Sequence, residues 1–255
     1  MTFPVYIWIG SLKIHPHILF ESVAYFVAFR LVLQNVRKDN IKPSNRSSVI
    51  VGGMAGALLG AKLLVLLQHI YLLWENPQNL LFLLLQGKTV VGALLGGLIS
   101  VEITKKIIGV RQSTGDVFVY PLIVGTAIGR IGCFLTGLTD KTYGVATNLP
   151  WAIDFGDGIF RHPTQLYEIV FLSGLTIFLL FRSRYQRQEG DLFKFYILSY
   201  LSFRFLIDFI KPDFHLLLGM SAVQISCFLA IFYYRHSFWE MFKFENHQNI
   251  PHQNL

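Results

Sequence analysis

Three short passages of this chain place ionisable side chains inside or at the edge of strongly apolar stretches. The first is Gly125-Thr-Ala-Ile-Gly-Arg130-Ile-Gly-Cys-Phe-Leu-Thr-Gly137, which sets a guanidinium among small residues beside a thiol. The second is Arg161-His162-Pro163-Thr164-Gln165-Leu166-Tyr167-Glu168. In the third, Tyr200, Arg204 and Asp208 recur every fourth residue, so a phenol, a cation and a carboxylate share one helix face. An arginine at membrane depth is costly without an anion, and its fork of N–H donors matches two oxygens of a phosphate. Arg130 therefore either pairs with a carboxylate such as Glu168 or Asp208 or holds a lipid phosphate, and the second role is favoured. Thr164 is expected to cap the helix that carries Gln165 and Glu168.

The elements that must position these residues are membrane helices. Hydrophobic residues make up 53% of the 255 and charged residues 15%, and the mean hydropathy is +0.49. Soluble domains average about 25% charged, so an ordinary soluble fold is excluded. Stretches near the roughly 20 residues needed to cross a bilayer run over 18–34, 49–73, 90–108, 117–137, 165–182, 192–210 and 216–234. The expected fold is an all-α integral membrane protein of about seven transmembrane helices, forming a single membrane domain over 1–255. Residues 81–85, between a loop at Pro77 and Lys88, are too few to span and read as a re-entrant or interfacial segment.

Loop charges orient this bundle. Arg30, Arg37, Lys38, Lys42 and Arg46 follow the first span, whereas Glu75 and Lys88 nearly alone mark the next loop. Lys105, Lys106 and Arg111 precede span four, Arg182, Arg184 and Arg187 follow span five, and Arg235 and Lys243 follow span seven. The positive-inside rule then puts the odd loops and the C-terminus in the cytoplasm, and the N-terminus and the loop from Leu138 to Pro163 outside. A net charge of +7 carried at span ends suits an anionic leaflet, and nucleic acid is not expected as a partner. No cleaved signal is expected at the N-terminus.

Spans two and three share a composition, with Gly52, Gly53, Gly56 and Gly60 in one and Gly92, Gly96 and Gly97 in the other. Small residues four apart permit close helix crossing, either for packing alone or to leave room for a lipid headgroup. Lys62 either snorkels to an interface or neutralises a phosphate. Glu21 stands nine residues from Arg30, too far for an i,i+4 bridge, and needs another partner. At an interface it is an ordinary acid, and within the apolar slab a proton carrier. Cys133 and Cys227 both fall in spans without the sequence neighbours of a disulfide framework or a metal cluster. Cys133 reads mainly as a small buried hydrophobe, since no base lies within one turn and His162 could reach it only through tertiary packing.

The passage Gly129 to Gly137, together with Tyr143-Gly144, Pro150-Trp151-Ala152 and Arg161 to Glu168, resembles the phosphatidylglycerol:prolipoprotein diacylglyceryl transferase family of bacterial inner membranes. Tyr200 to Arg204, Phe205 to Pro212 and Gly219 to Gln224 resemble further motifs of that family, and the likeness runs over about residues 15 to 235, leaving a short cytoplasmic tail at 236–255. The resemblance implies a seven-span fold with its N-terminus outside. It also implies transfer of diacylglyceryl from phosphatidylglycerol to a lipobox cysteine thiol of a prolipoprotein, releasing glycerol phosphate. By that resemblance the catalytic set is Arg130, Glu168, Arg204 and His162. Tyr200, Gln165, Arg161, Gly137, Lys62 and Glu21 bind substrate. Phosphatidylglycerol and membrane phospholipid are the expected partners, with a prolipoprotein as acceptor, and no cofactor or metal is expected.

The chain departs from the family pattern at several positions. Cys133 stands where the family has Asn, Val91-Gly92-Ala93 replaces a His-Gly-Gly turn, Glu21 replaces a tyrosine, Leu138 an acidic residue and Lys62 an arginine. A related lipid transferase with another acceptor, or a noncatalytic lipid-binding or transport protein, therefore remains as the alternative expectation. A transporter would show an open path across both leaflets, whereas an enzyme needs a site near one face that is reachable from the lipid.

Overall fold

In the computed structural model, residues 2–36, 43–184, 189–212 and 219–235 are described. Arg37, Lys38, Lys42, Arg187 and Lys243, most of the loop from Lys211 to Gly219 and the tail 236–255 lie outside them. The chain opens with a hairpin, β1 (Ile7–Ile9) against β2 (Leu12–Ile14), turned at Gly10, whose φ of +62° favours glycine. Helices α1 (Pro16–Val36) and α2 (Pro43–Gln68) follow, then the short α3 (Ile70–Glu75) and α4 (Asn79–Gln86), and then α5 (Val90–Ile108). A 3-10 turn at Asp116–Phe118 leads into α6 (Val119–Thr136), and a second at Gly137–Asp140 closes it. The hairpin β3 (Ile153–Asp154) and β4 (Phe160–Arg161) precedes α7 (Thr164–Ser183), α8 (Asp191–Ile207) and α9 (Ala222–Tyr233).

The apolar stretches fall on α1, on α2 with α3, and on α5, α6, α7 and α8, and the last falls on α9 from Ala222 onward, with 216–218 outside the described residues. Among the described residues four candidate spans qualify by length and apolarity: Pro16–Asn35, Asn45–Gln68, Asp116–Asp140 and Thr164–Ser183. Helix α5 carries Glu102, Lys105 and Lys106 near its end, while α8 has 17 residues and α9 has 12. Large apolar side chains such as Phe26, Leu59, Leu63, Ile107, Val170, Phe181, Leu206 and Phe232 are exposed on the helix surfaces. Soluble monomers rarely leave so much contiguous apolar area uncovered, and these faces suit acyl chains. The chain is an all-helical, multi-pass membrane protein.

Local chemistry sets several helix ends. Thr89 caps α5 by accepting from Gly92 N at 3.2 Å, and Gly109, with φ +72°, ends it. Ser221 and Gln224 form a capping box at the start of α9. Helix α8 is capped from another element: the Asp116 carboxylate accepts from Gly190 N at 2.7 Å and Phe193 N at 2.9 Å. Thr164 does not cap α7. It is the first helical residue, Pro163 precedes it without a side-chain bond, and its hydroxyl donates instead to Thr142 O.

The glycines of α2 and α5 form a seam in which backbone touches backbone. A Cβ on Gly60 would lie 2.3 Å from Gly92 O, and one on Gly96 2.3 Å from Gly56 O. Ser100 Oγ donates to Gly52 O across the same seam at 2.7 Å. Packing is thus the whole role of this stripe, and no room for a headgroup remains. The stretch 49–73 is not one helix, because α2 ends at Gln68 and α3 starts at Ile70. Residues 81–85 belong to α4, which packs on α2. The Lys62 Nζ donates to Gly87 O at 2.7 Å and Leu85 O at 3.4 Å, at the C-terminal end of α4.

A second packing unit is built from α6, α7, α8 and α9 around Val119, Ile123, Leu172, Leu179, Tyr196, Leu198, Leu201, Val223 and Cys227. Val91, from the turn that replaces His-Gly-Gly, is 1% exposed and part of this core. The N-terminal ends of α1, α7 and α9 and the C-terminal ends of α6 and α8 meet at one end of the bundle. Backbone bonds tie the connecting segments there: Val5 N to Leu135 O, Gly144 N to His162 O and Val145 N to Ile210 O, at 2.7–2.8 Å.

Candidate active site

Glu168, one turn into α7, sits where α6, α7 and α8 converge and is 2% exposed. Its Oε2 lies 2.9 Å from Arg130 Nε and 3.2 Å from Arg204 Nη1, and its Oε1 accepts from the Tyr200 hydroxyl at 2.6 Å. The four-residue spacing read from the sequence explains the α8 half: Tyr200 and Arg204 reach Glu168 from successive turns, and Arg204 Nη2 continues to Asp208 Oδ1 at 3.5 Å. Ser221 Oγ donates to the other oxygen of Asp208, which joins α9 to the network.

Two features make this cluster receptive to an anion. Arg130 Nε, although close to Glu168, is not aimed at it, and neither Arg130 Nε nor Arg204 Nε has a hydrogen-bond partner among the described residues. Buried donors of this kind are costly unless a ligand fills them. The charge is also unbalanced. Lys211 is buried beside Arg204 and Arg130, so three cations face the carboxylates of Glu168 and Asp208 and leave an excess of one. Burial, reinforced by the Arg204 and Arg130 guanidiniums, pushes the Lys211 ammonium down to about 8.

A second polar group adjoins the first through Cys133, whose Sγ lies 3.8 Å from Arg130 Nη1. His17, on the first turn of α1, reaches Asp140 Oδ1 through Nδ1 at 2.9 Å and Glu21 Oε2 through Nε2 at 3.3 Å. Glu21 also accepts from Tyr25 at 2.8 Å and pairs with Lys88, which supplies the partners its distance from Arg30 demanded. Asp140 Oδ2 accepts from Thr142, and Thr142 Oγ1 accepts from Gln165 Nε2 at 3.0 Å. Gln165 Oε1 is buried without a hydrogen-bond partner among the described residues.

The expected site residues thus divide. Arg130, Glu168, Arg204 and Tyr200 form one contact cluster, and Gln165 and Glu21 belong to the adjoining group. His162 stands apart from both: its Nδ1 is 3.0 Å from the Tyr167 hydroxyl, which also accepts from Trp151 Nε1 at 2.8 Å. Arg161 makes a two-pronged pair with Asp157 at 2.6 and 2.7 Å, so its guanidinium braces the β3–β4 hairpin. That pair holds the Asp157 carboxyl below the usual range. Gly137 ends α6 at φ +73°, where a Cβ would meet Phe3 Cβ at 2.7 Å, so it allows the N-terminal segment to close over the helix end. Lys62 is committed to α4.

Sequence reasoning missed Lys211, His17, Asp140 and Ser221. The signal for Lys211 was faint: a lysine three residues beyond Asp208 looks like an ordinary loop cation. His17 carried more, as a histidine at i−4 from Glu21, but its link to Asp140 crosses 123 positions of chain and exists only through the α1–α6 packing.

The family model for prolipoprotein diacylglyceryl transferase matches residues 4–239. The chain is 33% identical over 224 residues to phosphatidylglycerol–prolipoprotein diacylglyceryl transferase of Methylobacillus flagellatus, covering 82% of this chain and 84% of that one. The enzyme of the same name from Clostridium tetani is 31% identical over 82% of this chain and 86% of its own length. That of Campylobacter hominis is 34% identical over 82% and 78%. With the matched span enclosing the whole Arg130–Glu168–Arg204 cluster, the chain belongs to the prolipoprotein diacylglyceryl transferase family.

Proposed function

We propose that this protein transfers the diacylglyceryl group of phosphatidylglycerol to a prolipoprotein cysteine, at the outer face of a bacterial cytoplasmic membrane. The observation that carries the reading is the buried Arg130–Glu168–Arg204 cluster, in which Arg204 Nε has no hydrogen-bond partner among the described residues and one positive charge is in excess. A phosphodiester is the membrane anion that fits it. The orientation follows from loop charge: Arg46, Lys105, Lys106, Arg111, Arg182 and Arg184 cluster at helix ends remote from the site, which the positive-inside rule assigns to the cytoplasm.

The roles follow from contact. Arg130 and Arg204 hold the phosphodiester oxygens and, with Lys211, stabilise the charge that grows on the departing glycerol phosphate. Glu168 keeps both guanidiniums parallel to the site and prevents their mutual repulsion. Tyr200 fixes Glu168 and faces the headgroup. The acceptor thiol gives up its proton to water, its sulfur attacks the glyceryl carbon to form the thioether, and the carbon–oxygen bond breaks with its electron pair leaving on the phosphate.

The test uses purified protein in nanodiscs holding phosphatidylglycerol labelled in its headgroup glycerol. Labelled glycerol phosphate should appear only when a lipobox peptide with a free cysteine is added, and not with a serine-substituted peptide. Release independent of the thiol would make the protein a phospholipase and overturn the reading.

A further inference from the structure

Glu168 has both oxygens engaged, Oε2 by two arginines and Oε1 by Tyr200, so the anion cluster offers no group aimed at an acceptor thiol. The group beside it does. His17, Cys133 and Asp140 come from α1, α6 and the turn after α6, and one donor atom of each lies within 4.8 Å of the others. Donors about 2.1 Å from a common tetrahedral ion stand about 3.4 Å apart. His17 Nδ1 and Asp140 Oδ1, at 2.9 Å, are already near that separation.

The surroundings match a metal site independently of the three donors. A ligating histidine characteristically gives its other ring nitrogen to a carboxylate. Here His17 Nε2 faces Glu21 Oε2 at 3.3 Å, and Glu21 is itself anchored by Tyr25 and Lys88. The oxygen of Asp140 turned away from His17 is fixed by Thr142, and Thr142 by Gln165. One thiolate and one carboxylate would neutralise a divalent cation, which removes the penalty of a net charge at the membrane boundary. Mixed nitrogen, sulfur and oxygen donors are the set that zinc takes, and three protein donors leave its fourth position open.

We propose that His17, Cys133 and Asp140 bind one divalent cation of the zinc class, and that its fourth position receives the acceptor thiol. This second half rests on the transferase reading above. The His17 side chain is 28% exposed, so the position is reachable from outside, and Cys133 borders Arg130, so it adjoins the phosphate cluster. A thiol that coordinates such an ion releases its proton to water. The bound sulfur then supplies the electron pair that forms the carbon–sulfur bond, while the carbon–oxygen pair departs with the phosphate held by Arg130 and Arg204.

Metal-stripped full-length protein in detergent, titrated with cobalt(II), tests the site without any assay of transfer. One equivalent should bind and give thiolate-to-cobalt charge-transfer absorption, displaced by zinc. The band should vanish in Cys133→Ser and His17→Ala and persist in Cys227→Ser. Glu21→Gln should keep the band and weaken affinity by about 10- to 100-fold. Circular dichroism of each variant identifies any that fails to fold, and Asp140→Asn provides a further ligand variant. A folded wild-type protein with no charge-transfer band overturns the site. Transfer that continues undiminished after the metal is removed overturns the thiol role while leaving the site and the transferase reading in place. A full cobalt band in a protein that transfers nothing counts against the transferase reading alone.

Discussion

The α2–α5 seam and the α6–α7–α8 junction solve opposite problems with opposite residues. In the seam, glycines bring two helices so close that a single added methyl would enter a backbone oxygen. The contact is uncharged and, at Gly56, Gly60, Gly92 and Gly96, backbone lies against backbone. At the junction, large polar side chains hold three helices through one carboxylate and two guanidiniums, and Arg204 Nε has no hydrogen-bond partner among the described residues. The difference teaches that a glycine stripe in a membrane helix marks adhesion, whereas function gathers where buried charge is left incompletely satisfied.

The largest expected effect that separates the two regions comes from Glu168→Ala. Removing the shared carboxylate leaves two buried arginines facing each other and should cost about 3–5 kcal/mol, read as a lower melting temperature in detergent, with transfer abolished. Melting at the wild-type temperature would show that the junction does not carry this burial. Next, Arg130→Ala and Arg204→Ala should each lower kcat by about 10²- to 10³-fold in protein that remains folded and membrane-inserted. Arg204→Lys should recover little, because one ammonium cannot reach both Glu168 and Asp208 as the fork does.

The seam predicts the reverse pattern. Gly60→Val forces a side chain into Gly92 O and should cost about 1–3 kcal/mol of stability, with transfer per folded molecule unchanged. Gly97→Ala, whose Cβ would find its nearest neighbour at 3.4 Å, should be almost silent. A loss of kcat in Gly60→Val without loss of stability would erase the distinction between the regions.

The smallest effect is a pH dependence. Lys211 is cationic below about 8 and neutral above it, so the junction loses its excess positive charge as pH rises. The kcat/KM for phosphatidylglycerol should fall as pH passes upward through about 8, since this ratio reports groups of the free enzyme. Lys211→Arg should remove that fall, because a guanidinium stays charged throughout.

Residue type and spacing made the junction partly legible before any fold was known. Arg130, Glu168 and Arg204 stood out because charges are expensive in apolar helices, and the helical repeat put Tyr200 and Arg204 on one face of α8. The seven apolar stretches were legible for the same reason. What was illegible depended on contacts far apart in sequence. Arg161 reads like an anion ligand until the β3–β4 turn places Asp157 against it. Lys62 reads like a phosphate ligand until α4 folds back and presents its carbonyl groups. Cys133 lacked neighbours along its own helix; Asp140 comes near it through the turn that closes α6, and His17 only when α1 packs on α6. The break at Gln68 and His69 was hidden because two polar residues between the equally apolar α2 and α3 are too short an interruption to end an apolar stretch.

The account turns on whether the junction moves a diacylglyceryl group onto a thiol. The most direct measurement is the intact mass of a lipobox peptide after incubation with the protein in phosphatidylglycerol nanodiscs. The account predicts a gain equal to one diacylglyceryl group on the cysteine, stable to hydroxylamine as a thioether must be, and absent with Arg204→Ala. An unmodified peptide in the presence of folded wild-type protein, or equal modification by Arg204→Ala, would contradict it.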